Sequence, residues 1–322
     1  MLTDPSRRTL IAGALLSAVA ARAQPAWPTR TVRWIVPFGA GGAADATART
    51  IAQKLGERWG HQVVVDNKPG ANTMIAAQEA MRAAPDGYTL FQPINSTLTL
   101  NPFTTSKLPY DPIRDFTHIA LIASVPLIFV ANDTLPAKTL QDMVALAKAR
   151  PGTITTGGSS VGMQLANERF NRDARIKVTW VPYKSGIDVT KGLLSSEIQV
   201  GVDGIVAYIP HVKSGKLRAL ATNSQQRVAS LPEVPTLAEL GYHNSEAGVW
   251  HGVMAPAGLP REIQRKIEAD LRVVLSMPDV KERMLALGLE PMWGTSEQFL
   301  KLIESESAVI GPLAREMGIK MD

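Results

Sequence analysis

The chain holds 322 residues with no cysteine and a formal charge of +5, its acidic and basic side chains interspersed. That composition excludes disulfides, thiolate nucleophiles and cysteine-ligated metals, and so mild and scattered a positive excess is no footprint for nucleic acid. Residues 1–23 read as an export signal rather than as part of a fold. Arg7 and Arg8 precede an apolar run over 10–20, too short to span a bilayer, and Ala21-Arg22-Ala23 supplies a small-x-small cleavage site. Ser6-Arg7-Arg8-Thr9-Leu10 also resembles a twin-arginine signal. Beyond residue 23 no segment is apolar for long enough to cross a membrane, and the remaining length suits two domains.

The next segment, 31–45, predicts a strand running into Gly39-Ala40-Gly41-Gly42, then a helix from about Ala43 to Trp59. Strand-like and helical patterns go on alternating: strands over 63–65, 88–91, 127–131, 154–156 and 178–181, helices over 74–83, 140–149, about 163–171 and 186–195. This rhythm predicts α/β domains with mainly parallel sheets. Near the C-terminus Pro260 opens a helix with Ile263, Ile267, Leu271 and Val274 on one face, and Thr295 with Gln298 forms a capping box for another.

The loop 39–44 offers backbone N–H groups at a helix N-terminus, where the helix dipole favours an anion. Three readings compete there. Gly39-x-Gly41-x-x-Ala44 with Asp66 resembles a dinucleotide fingerprint, although Pro37 and Phe38 interrupt its approach and export removes the chain from nicotinamide supply. A plain strand-to-helix turn is the second reading. The third is a carboxylate site, which also recruits the second small-residue loop, Gly158-Ser159-Ser160-Val161-Gly162. That pentapeptide satisfies G-x-S-x-G as well, so an exported serine hydrolase using Ser160 is an alternative, with His211, His243, His251 and Asp203 downstream. None of these histidines sits in a context that marks a triad base; His251 beside Trp250 in an apolar strand reads as packing. The scattered histidines give no metal spacing, and neither metal nor cofactor is expected.

Pro37-Phe38-x-x-Gly41-Gly42-x-x-Asp45-x-x-Ala48-Arg49 opens a series of motifs that continues with Asn67-Lys68-Pro69-Gly70-Ala71 and Ala84-Pro85-Asp86-Gly87-Tyr88. Leu108-Pro109-Tyr110-Asp111-Pro112, Val181-Pro182-Tyr183-Lys184, Gly215-Lys216-Leu217-Arg218 and Ala255-Pro256-Ala257-Gly258 follow in order. Together they resemble the solute receptors of tripartite tricarboxylate transporters, the Bug family, over nearly the whole mature chain. The resemblance implies an α/β, two-lobed periplasmic binding protein of type II, with two chain crossings near Ser124 and Gly248. Residues 24–124 and 249–322 would form lobe one, and 125–248 lobe two. It implies a monomeric receptor, not an enzyme, that closes on a small carboxylate (a di- or tricarboxylate, an aromatic acid or an amino acid) and serves membrane permease subunits.

Carried over by the match, Phe38 would wall the pocket, and the N–H groups of Ala40, Gly41, Gly42, Ala43 and Ala44 would face the carboxylate. Asp45 would cap the loop, order a water or meet a ligand ammonium. Ser159, Ser160 and Val161 carry over as the second loop and Ser96 and Thr97 as a third, while Tyr183 and Asp203 fall at strand ends of lobe two. The sequence departs from the family at Gln164, where a histidine is common, and at Asn72-Thr73-Met74, which replaces a glycine-rich continuation.

Overall fold

The computed structural model describes residues 27–224, 226–243 and 248–318. The expected export signal lies outside them. In chain order the first part runs β1 (Val32–Val36), α1 (Ala43–Trp59), β2 (Val63–Asn67), α2 (Met74–Met81), β3 (Thr89–Phe91), α3 (Asn101–Thr104) and β4 (Phe116–Val125). The second part runs β5 (Leu127–Ala131), α4 (Leu140–Ala149), β6 (Thr155–Gly158), α5 (Val161–Ala174), β7 (Thr179–Pro182) and α6 (Gly186–Leu194), then β8 (Val200–Gly204), α7 (Ile209–Lys213) and β9 (Arg218–Thr222). The last part comprises β10 (Val249–Pro256), α8 (Arg261–Ser276), α9 (Pro278–Ala286), β11 (Glu290–Thr295) and α10 (Ser296–Glu316). Among the described residues no helix is long and apolar enough to cross a membrane.

The strands form two sheets, β11-β4-β10-β3-β1-β2 and β7-β6-β8-β5-β9, each at the heart of one lobe of a two-lobed, type II binding-protein fold. The chain passes between sheets twice, from β4 to β5 and from β9 back to β10. The expectation of mainly parallel sheets needs correction. β1 runs parallel to β2 and β3, and β6 to β7 and β8. β10 runs antiparallel to β3 and β4, β11 to β4, and β5 to β8 and β9. The reason is the double passage. β4 carries the chain out and β10 carries it back beside the same place, Val249 pairing with Val125 and Pro256 with Phe116, so the two must run in opposite directions.

α1 forms with the expected limits. It starts at Gly42 and ends at Gly60, whose φ of 68° is a left-handed conformation suited to glycine. Ala44, Ala48, Ile51, Ala52, Leu55 and Trp59 line its buried face and share a core with Ile267, Leu271 and Val274 of α8. Burying such a stripe contributes about 1.5–3 kcal/mol for each large aliphatic side chain. The capping box of Thr295 and Gln298 is present at the start of α10. A separate core fills lobe two, centred on Phe129, Leu140, Phe170 and Val202.

Candidate functional site

Three helices begin at one crevice. α1 starts there after Gly42, α5 after Ser160 and α6 after Ser185. Phe38, Gly42, Ala43 and Ala44 line it from lobe one, and Ser159, Met163, Ser185, Gly186, Asp203 and Gly204 from lobe two. Val125, Val249 and His251 close its floor. The lobes meet tightly beside it: a Cβ added at Gly204 would lie 3.1 Å from the Cβ of Ala43.

The first loop is braced from behind. Gly41 takes φ 87°, and its N–H donates to Asp45 Oδ2 at 2.9 Å. Asn67 Nδ2 donates to the same carboxylate at 2.9 Å and Arg49 Nε at 2.9 Å. Burial opposes ionisation of Asp45, but donors from Arg49, Gly41 and Asn67 outweigh it and hold the carboxyl below its usual range. Asp45 is therefore the brace of the loop, and the Gly41 N–H is spent on it. Gly42 offers α1 no side-chain cap, so the first-turn amides of Ala43 and Ala44 have no cap to accept them where they border the crevice.

The second loop is braced by Asp203, at the end of β8. Its Oδ2 accepts the Ser159 N–H at 2.8 Å and its Oδ1 the Gly204 N–H at 2.7 Å. Asp203 is only 5% exposed and borders the crevice. Burial pushes its carboxyl up to about 6 against the pull of the Ser159 and Gly204 donors. No Lys or Arg is among the described residues lining the crevice.

The other expected residues take different places. Ala40 is exposed at the loop tip and outside the crevice lining. Ser160 caps α5, accepting the Met163 N–H, and the Val161 N–H reaches across the lobes to Asn72 Oδ1 at 3.1 Å. Ser96 and Thr97 lie in a buried π-helical turn, not an open loop, because Pro102 in the next turn brings no N–H to continue an α-helical ladder. Ser96 borders a separate recess with Thr99, Gly162, Leu165 and Glu306, and the Thr97 hydroxyl donates to Thr73 Oγ1 at 2.8 Å. Tyr183 packs against Gly157 and Gly192, and burial pushes its hydroxyl up to about 12. Gln164 is part-buried on α5 and outside the crevice lining.

Two features escaped sequence reading. The third loop, Tyr183-Lys184-Ser185 before Gly186, carries small residues only at the helix start, with Ser185 capping α6 and bonding Asp188 Oδ2 at 2.7 Å. His251, expected to be mere packing, is buried and also borders the crevice, its Nδ1 3.0 Å from Thr47 Oγ1. A polar residue inside a wholly buried strand was the available signal. The other two histidines offered to the hydrolase reading lie elsewhere, His211 in α7 and His243 near the β9–β10 connection.

Comparisons with known proteins fit this geometry. A family model described as tripartite tricarboxylate transporter family receptor matches residues 47–319. Protein BugT of Bordetella pertussis is 33% identical over 302 residues, covering 92% of this chain and 91% of its own. R. palustris Rpa4515 with adipate superposes with a TM-score of 0.88 at 31% identity, covering 91% of this chain and 99% of that one. MatC from Rhodopseudomonas palustris with bound malate superposes with a TM-score of 0.82 at 27% identity, covering 89% and 99%. With this fold and this extent of similarity, the chain belongs to the tripartite tricarboxylate transporter receptor family, whose members are solute-binding proteins.

Proposed function

We propose that this chain is an exported periplasmic receptor that grips the carboxylate of a small organic acid in the crevice and presents its closed form to membrane permease subunits. One observation carries the reading: the N-termini of α1, α5 and α6 converge on a crevice whose described lining has no cationic side chain. Each helix start turns the positive end of its dipole to an anion, and the amides of α1, which has no side-chain cap, can add about 1.5–3 kcal/mol per charge-assisted bond. The adipate and malate held by Rpa4515 and MatC support the same ligand class here.

The lobes would be 24–124 with 249–322, and 125–248, turning about Ser124 and Gly248. A ligand that touches amides of both lobes favours the closed arrangement by that difference in contact alone. The export signal at 1–23 places the receptor outside the cytoplasm, and it acts as a monomer without cofactor.

A thermal-shift screen over mono-, di- and tricarboxylates tests the reading. An acid present at 100 times its Kd adds about 2.7 kcal/mol of stability. A screen in which no carboxylate raises the melting temperature removes the proposal.

A further inference from the structure

We infer that the crevice selects acids bearing a hydrogen-bond donor, a hydroxyl or an ammonium, on the carbon next to the carboxylate, with Asp203 and His251 as the receiving groups. The inference rests on the carboxylate reading above and narrows its ligand class.

The argument is an inventory of donors. The polar side chains lining the crevice are Ser159, Ser185, Asp203 and His251. The Ser185 hydroxyl donates to Asp188 Oδ2 at 2.7 Å, so its proton is committed. Ser159 spends its N–H on Asp203, and its hydroxyl bonds the same carboxyl. Asp203 takes one backbone N–H on each oxygen, at 2.8 and 2.7 Å, and the Ser159 hydroxyl as a third donor, which leaves one further lone pair.

His251 resolves through its neighbour. The Thr47 hydroxyl donates to the Ala43 carbonyl at 2.9 Å, so it can only accept from His251 Nδ1 at 3.0 Å. With the proton on Nδ1 of a neutral ring, Nε2 is a bare acceptor. Burial pushes the imidazole down to about 3, which keeps the ring neutral near pH 7.

No side-chain donor is therefore left in the lining; the free donors are backbone amides at the helix starts. One ligand carboxylate has a place at those amides, and an adjacent O–H or N–H has acceptors. The two sets are neighbours. A Cβ added at Gly186, the first residue of α6, would lie 3.4 Å from Asp203 Oδ1, so a donor answering Asp203 sits within a bond or two of a carboxylate held at that helix start. An acid lacking that donor would leave the remaining Asp203 lone pair and His251 Nε2 without a ligand partner, which a site built for hydrogen bonding penalises.

Calorimetry near pH 7.5 with three matched sets tests this: succinate, malate and aspartate; propionate, lactate and alanine; phenylacetate, mandelate and phenylglycine, both enantiomers of each chiral acid. In whichever set binds, the hydroxy or amino member should bind about tenfold or more tightly than its unsubstituted parent. The hydroxyl and ammonium arms separate a neutral from a charged donor, and preference for either supports the inference. Asp203→Asn, checked for native circular dichroism, should shrink the ratio to about threefold or less. A parent acid that binds as tightly as both derivatives overturns the inference and leaves the receptor reading standing. Silence from all nine acids removes both.

Discussion

Asp45 and Asp203 stand on opposite sides of the crevice and brace their loops by the same device, each accepting a loop N–H on Oδ2, from Gly41 at 2.9 Å and from Ser159 at 2.8 Å. They differ in what stands behind them. Asp45 is paired with Arg49 at 2.9 Å. Asp203 accepts from Ser159 and from the Gly204 amide, and no cation lines its side of the crevice. One is a neutralised strut; the other keeps its charge in the cavity.

This difference sets opposite pH signatures. The Asp203 carboxyl is raised from 3.8 to about 6, so the folded chain binds that proton more tightly than the unfolded chain and stability falls as pH climbs through that window. The penalty near pH 7.5 is about 3 kcal/mol. Asp203→Asn removes the charge and loses about one hydrogen bond to a backbone N–H, for a net gain of about 1–2 kcal/mol. Thermal unfolding should show the variant more stable than wild type near pH 7.5 and the advantage gone near pH 4. A variant less stable at neutral pH refutes the account.

Asp45 has the reverse sign. Its folded carboxyl lies below 3.8, so its contribution is present above that value and is lost as pH falls through the folded one. Asp45→Ala strands the Gly41 N–H and the Asn67 amide, and should lower stability by about 2 kcal/mol near neutral pH. Acid binding should weaken about tenfold as the loop loosens. Unchanged unfolding and unchanged calorimetry would assign Asp45 no bracing role.

Gly204 sets how closely the lobes approach. A Cβ there would lie 3.1 Å from Ala43 Cβ and 3.1 Å from Val125 Cγ1. Gly204→Val should wedge the crevice, weakening acid binding by about 100-fold and enlarging the particle in small-angle scattering with ligand present. Wild-type affinity in a folded variant would mean that the approach is not needed for capture.

Asn72 links the lobes. Its Oδ1 accepts the Val161 N–H at 3.1 Å, and Asn101 grips it on the other side, bonding its carbonyl at 2.9 Å. Its φ is 44°, within a run in which Ala71 and Thr73 are also left-handed. Asn72→Gly relieves the backbone while cutting the cross-lobe bond. Stability should hold within about 1 kcal/mol while acid affinity drops about fivefold. Parallel loss of both would make Asn72 a plain structural residue.

Ser160 caps α5. Ser160→Ala should cost about 1 kcal/mol in chemical denaturation, and ester turnover should stand at background in both proteins. Turnover that vanishes with the hydroxyl would revive the hydrolase reading.

Some of this was legible from residues alone. α1 was readable because Gly41-Gly42 and Gly60 punctuate it, and Leu127–Ala131 and Leu140–Ala149 were readable from their apolar runs. The antiparallel pairing of β4 and β10 was not, since strand direction depends on where the chain returns from the other sheet. In the site, small residues before helices disclosed two of the three converging loops. Tyr183 turns into packing, which the sequence hid; Asp45 caps its loop as one reading had it, but its partner Asn67, brought in from the neighbouring strand, was not legible.

Pro126 alone separates β4 from β5, two strands of different sheets, whereas the journey back from β9 to β10 takes the chain through residues 223–248. The tethers are thus unequal. A ring-locked φ in the short one leaves little torsional freedom there, while described residues of the long one are held, the Leu237 N–H bonding Thr222 O at 2.7 Å and Val228, Leu231 and Val234 buried in the lobe-two core. Under the proposed closure, a link of one residue would confine the swing to a single arc, so the shut molecule would present the same outline each time.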